Sequence, residues 1–186
     1  MRSDVGYDTI IFDLDGTLFR GQAVIPGATD ALERLAAHTT CRFLSNNGGR
    51  TSAALAQRLR NFGFTAGTED VVSSADLVLA YARELGRSLR ILTLSSSRLA
   101  DALAAQGHVL VDDATADLIV IGVDRTLTRE RMVHGLRALL NGAQLVATNE
   151  DPTYPGEKGL RPAAGIALLS RVQPGVWPHR CQTGWL

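Results

Sequence analysis

The chain has 186 residues, 45% apolar and 20% charged, a composition that excludes disordered, collagen-like and coiled-coil classes. Its 19 basic and 19 acidic residues cancel, so it lacks the cationic excess of a protein that tracks a phosphate backbone, and nucleic acid is not an expected partner. No apolar run approaches the ~18 residues of a membrane span, the N-terminus does not read as a signal peptide, and Cys41 and Cys181 form no disulfide framework or metal spacing; the expected setting is cytoplasmic, with no membrane partner.

Thr9-Ile10-Ile11-Phe12 is a short apolar run that stops at Asp13-Leu14-Asp15-Gly16, the pattern of a buried parallel strand delivering residues to its C-terminal edge. Pro26-Gly27 opens a helical pattern with Ala28, Ala31, Leu32, Leu35 and Ala36 on one face. Arg42-Phe43-Leu44 predicts a second strand, closing on Ser45-Asn46-Asn47-Gly48-Gly49. Thr51 is placed to cap a helix whose apolar face runs through Ala54, Leu55, Leu59 and Phe62. A further helix is predicted from Asp70 to Leu85, then a strand over Leu89–Leu94 and a helix from Leu99 to Ala105. Val109–Val111 and Leu118–Val123 predict strands, Thr128 begins a helix reaching Leu140, and Gln144–Thr148 is a last clear strand. Strands alternating with helices argue for an α/β protein with a parallel, Rossmann-like sheet. The expected division is a first core segment over 1–68, a smaller α/β unit inserted at 69–162, and a return to the core over 163–186. His38, His108 and His134 show no ligand spacing and read as structural.

Asp13 and Asp15, two apart at a strand end, can face one side of the sheet. Paired carboxylates there suit a divalent oxygen-seeking cation such as Mg²⁺, or a division of labour between nucleophile and proton shuttle. A bare Asp-x-Asp also serves simply to cap loops; the longer string through Gly16-Thr17-Leu18 is more specific. Ser45 and Asn46 offer a hydroxyl and an amide donor after the second strand, although Ser-Asn-Asn-Gly-Gly by itself also reads as a turn. Tyr154 stands in a Pro-rich stretch where it is either a packed turn residue or a substrate contact. Arg50 and Lys158 read as surface cations, with an anion contact open to Arg50.

With the apolar strand before it, Asp13-Leu14-Asp15-Gly16-Thr17 resembles the first motif of the haloacid dehalogenase superfamily of phosphatases. Phe19-Arg20-Gly21 and Ile25-Pro26-Gly27-Ala28 resemble the next segment of the capped class IIA subfamily, the 4-nitrophenylphosphatase and NagD-like proteins. Phe43 to Asn47 resembles the second motif, and Ala147 to Pro152 and Gly159 to Gly165 continue the likeness, which covers about residues 8 to 172. Among its members the chain is most similar to actinobacterial D-glycerol 3-phosphate phosphatases, partly through Gly63-Phe64-Thr65-Ala66 and Glu69 to Ala75. The resemblance implies a Mg²⁺-dependent phosphomonoesterase of a small phosphorylated metabolite such as glycerol 3-phosphate. Asp13 would become an aspartyl phosphate and Asp15 would act as acid, then base. Mg²⁺ would sit on the Asp13 carboxylate and the Asp15 carbonyl, and Ser45, Asn46 and Asn47 would hold the phosphate. Tyr154 would touch the leaving group, and the inserted unit could pair two copies.

The same resemblance calls for a later lysine and an acidic Gly-Asp loop, but no lysine follows Lys158 and no Asp or Glu follows Glu157. Of the 19 basic residues only Lys158 is a lysine. From Gln173 the chain reads QPGVWPHRCQTGWL, without helical or strand periodicity. That is either an irregular tail or an out-of-frame reading: if Gln173–Val176 were encoded by CAA-CCG-GGC-GTC, a shifted frame would give the Thr-Gly-Arg of relatives. The expectation is therefore a truncated, weak enzyme, or alternatively a phosphate-binding remnant without activity. A receiver-type signalling domain fits the sheet but not the Asp13 string.

Overall fold

The computed structural model describes residues 6–124, 126–149 and 151, together with the backbone course of Thr153–Gly156 and Gly159–Pro162. The chain divides into two units, one formed by residues up to Asn46 with Arg50–Ser73, the other by Asn47–Gly49 with Ser74 onward.

The first unit opens with β1 (Thr9–Asp13), followed by a small antiparallel hairpin of β2 (Phe19–Arg20) and β3 (Ala23–Val24). Helix α1 (Ala28–Ala36), β4 (Thr40–Ser45), α2 (Ser52–Asn61) and β5 (Val71–Ser73) complete it. The three longer strands form a parallel sheet in the order β1-β4-β5, in register so that Asp13 stands opposite Leu44 and Ser45 opposite Ser73. Phe43, Leu32, Leu55, Leu59 and Phe64 fill the core beneath the sheet. Alternation along β1 turns Ile10 and Phe12 inward and leaves Thr9, Ile11 and Asp13 exposed, with Ile11 65% accessible.

Three details depart from the sequence reading, one being the β2–β3 hairpin, which no periodicity marks. Thr51 occupies the position before α2 in an extended conformation, but its side chain makes no capping hydrogen bond. The stretch predicted as one helix from Asp70 is instead a short 3₁₀ turn over Thr68–Asp70, the strand β5, and a helix that begins only at Ser74. Val71 and Val72 are β-branched and find parallel partners in Phe43 and Leu44, so tertiary pairing overrides the local helical pattern.

The second unit runs α3 (Ser74–Glu84), β6 (Arg90–Leu94), α4 (Ser97–Ala105), β7 (Val109–Leu110), β8 (Leu118–Ile121), α5 (Arg129–Leu140) and β9 (Gln144–Ala147). Its four strands are all parallel, in the order β7-β6-β8-β9. All four residues of Leu118–Ile121 are buried, because apolar clusters cover both faces of the sheet. Leu89, Ile91, Leu118 and Val120 pack with α3 and α4 residues on one side; Leu92, Leu94, Ile119 and Ile121 pack with Ala138 of α5 on the other. This double burial explains the unbroken apolar runs in the sequence. Ser96 and Thr128 cap α4 and α5, accepting hydrogen bonds from the Leu99 and Arg131 amides.

Polar ties hold the strand ends. The Asp117 carboxylate accepts from the Arg90 amide at 2.7 Å and from Arg87 at 3.3 Å. Its carboxyl is held below the usual carboxylate range, chiefly by the Arg90 amide and then by Arg87. Arg131 reaches Asp124 at 2.7 Å, Asp112 at 3.2 Å and the Thr93 carbonyl; the Asp124 side chain is only 3% exposed. His108 is buried, its Nδ1 accepting from the Leu89 amide. Two further strands, β10 (Thr153–Gly156) and β11 (Gly159–Pro162), form an antiparallel pair.

Candidate active site

Asp13 is the last residue of β1 and lies exposed at the C-terminal edge of the three-stranded sheet. Open parallel sheets bind ligands outside the carboxyl ends of their strands, and Asp13 stands at such an end. Immediately after it the chain folds back on itself. Leu14 is fully buried and its carbonyl accepts from the Thr17 amide at 3.3 Å and the Leu18 amide at 3.0 Å. The Gly16 amide donates to the Phe19 carbonyl at 2.7 Å, and Gly16 has φ of +99°, a conformation that disfavours any side chain there. Burial of Leu14 between two less buried aspartates keeps both carboxylates on the wet side of the turn.

Ser45 ends β4 at the same edge and is buried, while Asn46 beyond it is exposed. Ser73, opposite Ser45 at the end of β5, is fully buried. The first unit thus brings Asp13, Asp15, Ser45 and Asn46 to one sheet edge. Asn47 belongs to the second unit, where its Oδ1 accepts from the Gly49 amide at 3.1 Å. Gly48 lies so close to Thr148 that a Cβ there would stand 2.2 Å from the threonine side chain. Tyr154 is in β10, in register with Arg161; its side chain, like Lys158 and everything from Ala163 on, lies outside the described residues.

Arg58, which sequence reasoning passed over, joins the group from α2. Its Nη1 is 3.9 Å from the Asp15 carboxylate, and its side chain is 15% exposed against 38% for Asp15. The guanidinium carbon lies 4.2 Å from the centre of the Phe19 ring and 5.3 Å from that of Phe62, and Nη2 donates to the Gly21 carbonyl. No local signal marks it among 18 arginines; only the packing does.

Among the described residues, neither the Asp13 carboxylate nor the Asp15 main-chain carbonyl accepts a hydrogen bond. A carboxylate and a main-chain carbonyl from residues two apart are hard oxygen donors, the type that suits a cation such as Mg²⁺. No third His, Cys, Asp or Glu side chain joins them among the described residues.

Known proteins place this architecture. The family pattern of the haloacid dehalogenase-like hydrolases matches residues 10–109. An acid sugar phosphatase from Staphylococcus saprophyticus is 32% identical over 174 residues, which is 92% of this chain and 67% of that protein. The structure of a p-nitrophenyl phosphatase from Archaeoglobus fulgidus superposes with a TM-score of 0.77 at 27% identity, covering 88% of this chain and 62% of that one. A glycerol phosphate phosphatase from Mycobacterium tuberculosis, solved in complex with magnesium, gives 0.76 at 32% identity over 90% of this chain and 51% of its own. The chain therefore spans from about half to two thirds of the relatives it matches. No described helix is long and apolar enough to cross a membrane. With the strand, the paired aspartates and the second-strand loop all inside the matched region, this protein belongs to the haloacid dehalogenase-like hydrolases.

Proposed function

We propose that the chain hydrolyses phosphate monoesters of a small polyol or sugar metabolite, glycerol 3-phosphate being one candidate. The observation that carries this reading is the pair Asp13 and Asp15 on the exposed side of a tight turn at a parallel strand end, in a chain of this family. In the first step an Asp13 carboxylate oxygen bonds to phosphorus as the ester P–O bond breaks. Asp15, protonated, delivers its proton to the departing alkoxide, so the alcohol leaves neutral. In the second step Asp15, now a carboxylate, takes a proton from water while the water oxygen attacks phosphorus, releasing phosphate and restoring Asp13.

Ser45 and Asn46 would donate to phosphoryl oxygens from the adjacent strand end, with Asn47 and Tyr154 as further substrate contacts. A carboxylate and a phosphate dianion repel: two unit charges 4 Å apart cost about 4 kcal/mol at an effective dielectric of 20. Mg²⁺ held by the Asp13 carboxylate and the Asp15 carbonyl would offset that charge.

The test is phosphate release from glycerol 3-phosphate, sugar phosphates and 4-nitrophenyl phosphate, with Mg²⁺ and with a chelator. Mg²⁺-dependent release is expected. Tight binding of inorganic phosphate with no turnover of any ester would overturn the enzyme reading in favour of a binding remnant.

A further inference from the structure

Arg58 is a cation in an apolar place. It is 15% exposed, stacked on a fully buried Phe19 ring and beside Phe62. Arg60, two residues on, shows the alternative: it lies on an exposed stretch of the same helix and bonds to Gln57 and to the Ala66 carbonyl. Packing against the contacting rings of Phe19 and Phe62 needs no charge, and a methionine would do it without the cost of desolvating a guanidinium. The return on that cost is modest if stability alone is counted: one backbone carbonyl, ring contacts, and a carboxylate at 3.9 Å that is itself more than a third exposed.

The partners of Arg58 lie along one short stretch of chain. Asp15 lies in the turn after β1, Phe19 begins β2 and Gly21 follows it in the hairpin loop, so the guanidinium meets the stretch 15–21 at three points. Its fork suits this: one nitrogen faces the carboxylate, the other donates to the carbonyl, and the guanidinium carbon sits over the ring. At 3.9 Å the Asp15 contact orients by charge without occupying the carboxylate through a close hydrogen bond.

We propose that Arg58 is the positioning residue of Asp15, fixing the turn so that this carboxyl addresses the leaving-group oxygen. The role rests on the hydrolase reading above. It predicts an effect that depends on how much help the leaving group needs, because an alkoxide requires the proton and 4-nitrophenolate does not.

The experiment compares the full chain with Arg58→Met and Arg58→Lys. On glycerol 3-phosphate, Arg58→Met is expected to lose on the order of 10–100-fold in kcat/KM, a part of what general acid catalysis supplies. On 4-nitrophenyl phosphate kcat/KM, which reports only the steps up to phosphoryl transfer to Asp13, should lose less than about threefold, while kcat falls on both esters wherever hydrolysis of the shared aspartyl phosphate, with Asp15 as base, limits the rate. Arg58→Lys, which keeps the charge but not the fork, should fall between. Equal loss of kcat/KM on both esters would overturn the proposal, since a merely structural arginine would impair both alike. A second readout needs no turnover. Amide hydrogen exchange at Gly16, whose N–H bonds to the Phe19 carbonyl, should accelerate at least about tenfold in Arg58→Met while β4 amides keep their rates. Unchanged protection at Gly16 would equally sink it. Absence of turnover in the unmutated chain would count against the proposed function, while the exchange measurement would still decide the role of Arg58.

Discussion

Asp13 and Asp15 are two residues apart, yet the protein constrains them differently. Asp13 ends a strand with its carboxylate exposed, whereas Asp15 lies inside a turn beside Arg58. That difference matches their proposed tasks, a nucleophile that must reach phosphorus and an acid that must be aimed. Asp13→Asn should abolish turnover on every ester, since an amide cannot form the acyl phosphate; normal release of phosphate by the purified variant would refute the nucleophile assignment. Asp15→Asn should instead lose on the order of 10²–10⁴ on alkyl esters. It should also leave a phosphoryl group stranded on Asp13, detectable as an added phosphate mass after a rapid acid quench with 4-nitrophenyl phosphate. The aspartates are legible in the sequence because an apolar strand running into acid and glycine is a local pattern. Arg58 is not, because its meaning comes from Phe19, Gly21 and Asp15, all more than 35 residues away.

Among the elements, the long buried strands are the most legible. Residues 118–121 are apolar throughout because both faces of their sheet are covered, and that composition survives in the bare sequence. β5 is hidden: three residues are too few to show alternation, and Glu69-Asp70 before and Ser74-Ala75 after both favour helix. The β2–β3 hairpin escapes for the same reason of length. Asp117 gives the element scale its pH test. Because its carboxyl titrates lower in the folded chain than in the unfolded one, its contribution is complete above the unfolded carboxylate range and fades as pH falls toward the depressed folded value. Asp117→Asn should therefore lower Tm at about pH 6, with the deficit shrinking below about pH 4. A deficit independent of pH would show that the carboxylate charge is irrelevant to the tie between β6 and β8. Gly48 gives a steric test. A Cβ 2.2 Å from Thr148 cannot be accommodated without movement, so Gly48→Ala should cost about 1–3 kcal/mol in denaturant titration, and Gly48→Ala with Thr148→Gly, which removes the clashing Cβ and hydroxyl, should recover part of it. No recovery in the double variant would place the strain elsewhere.

At the scale of the whole molecule the two sheets differ in cover. In the four-stranded sheet the inner strands β6 and β8 are covered on both faces, and exposure is confined to the edge, where β7 leaves Val109 and Leu110 open; the three-stranded sheet leaves Ile11 and Val72 exposed on one of its faces. Hydrogen exchange should reflect this, with Leu92, Ile119 and Val120 the slowest amides and those of β1 faster by at least about tenfold. Equal protection in the two sheets would contradict the ranking. The four-stranded sheet has one more property. Its strands all come from a single unbroken run, residues 90–147, and no strand of the other sheet is interleaved with them. Two DNA junctions would therefore suffice to lift the whole sheet out of one gene and set another in its place, leaving every backbone pairing of β1, β4 and β5 uncut. Such a chain can change by cassette exchange as well as by point substitution, and shuffled libraries bounded at Ser73/Ser74 should yield folded hybrids at a higher rate than libraries cut inside β6 or β8.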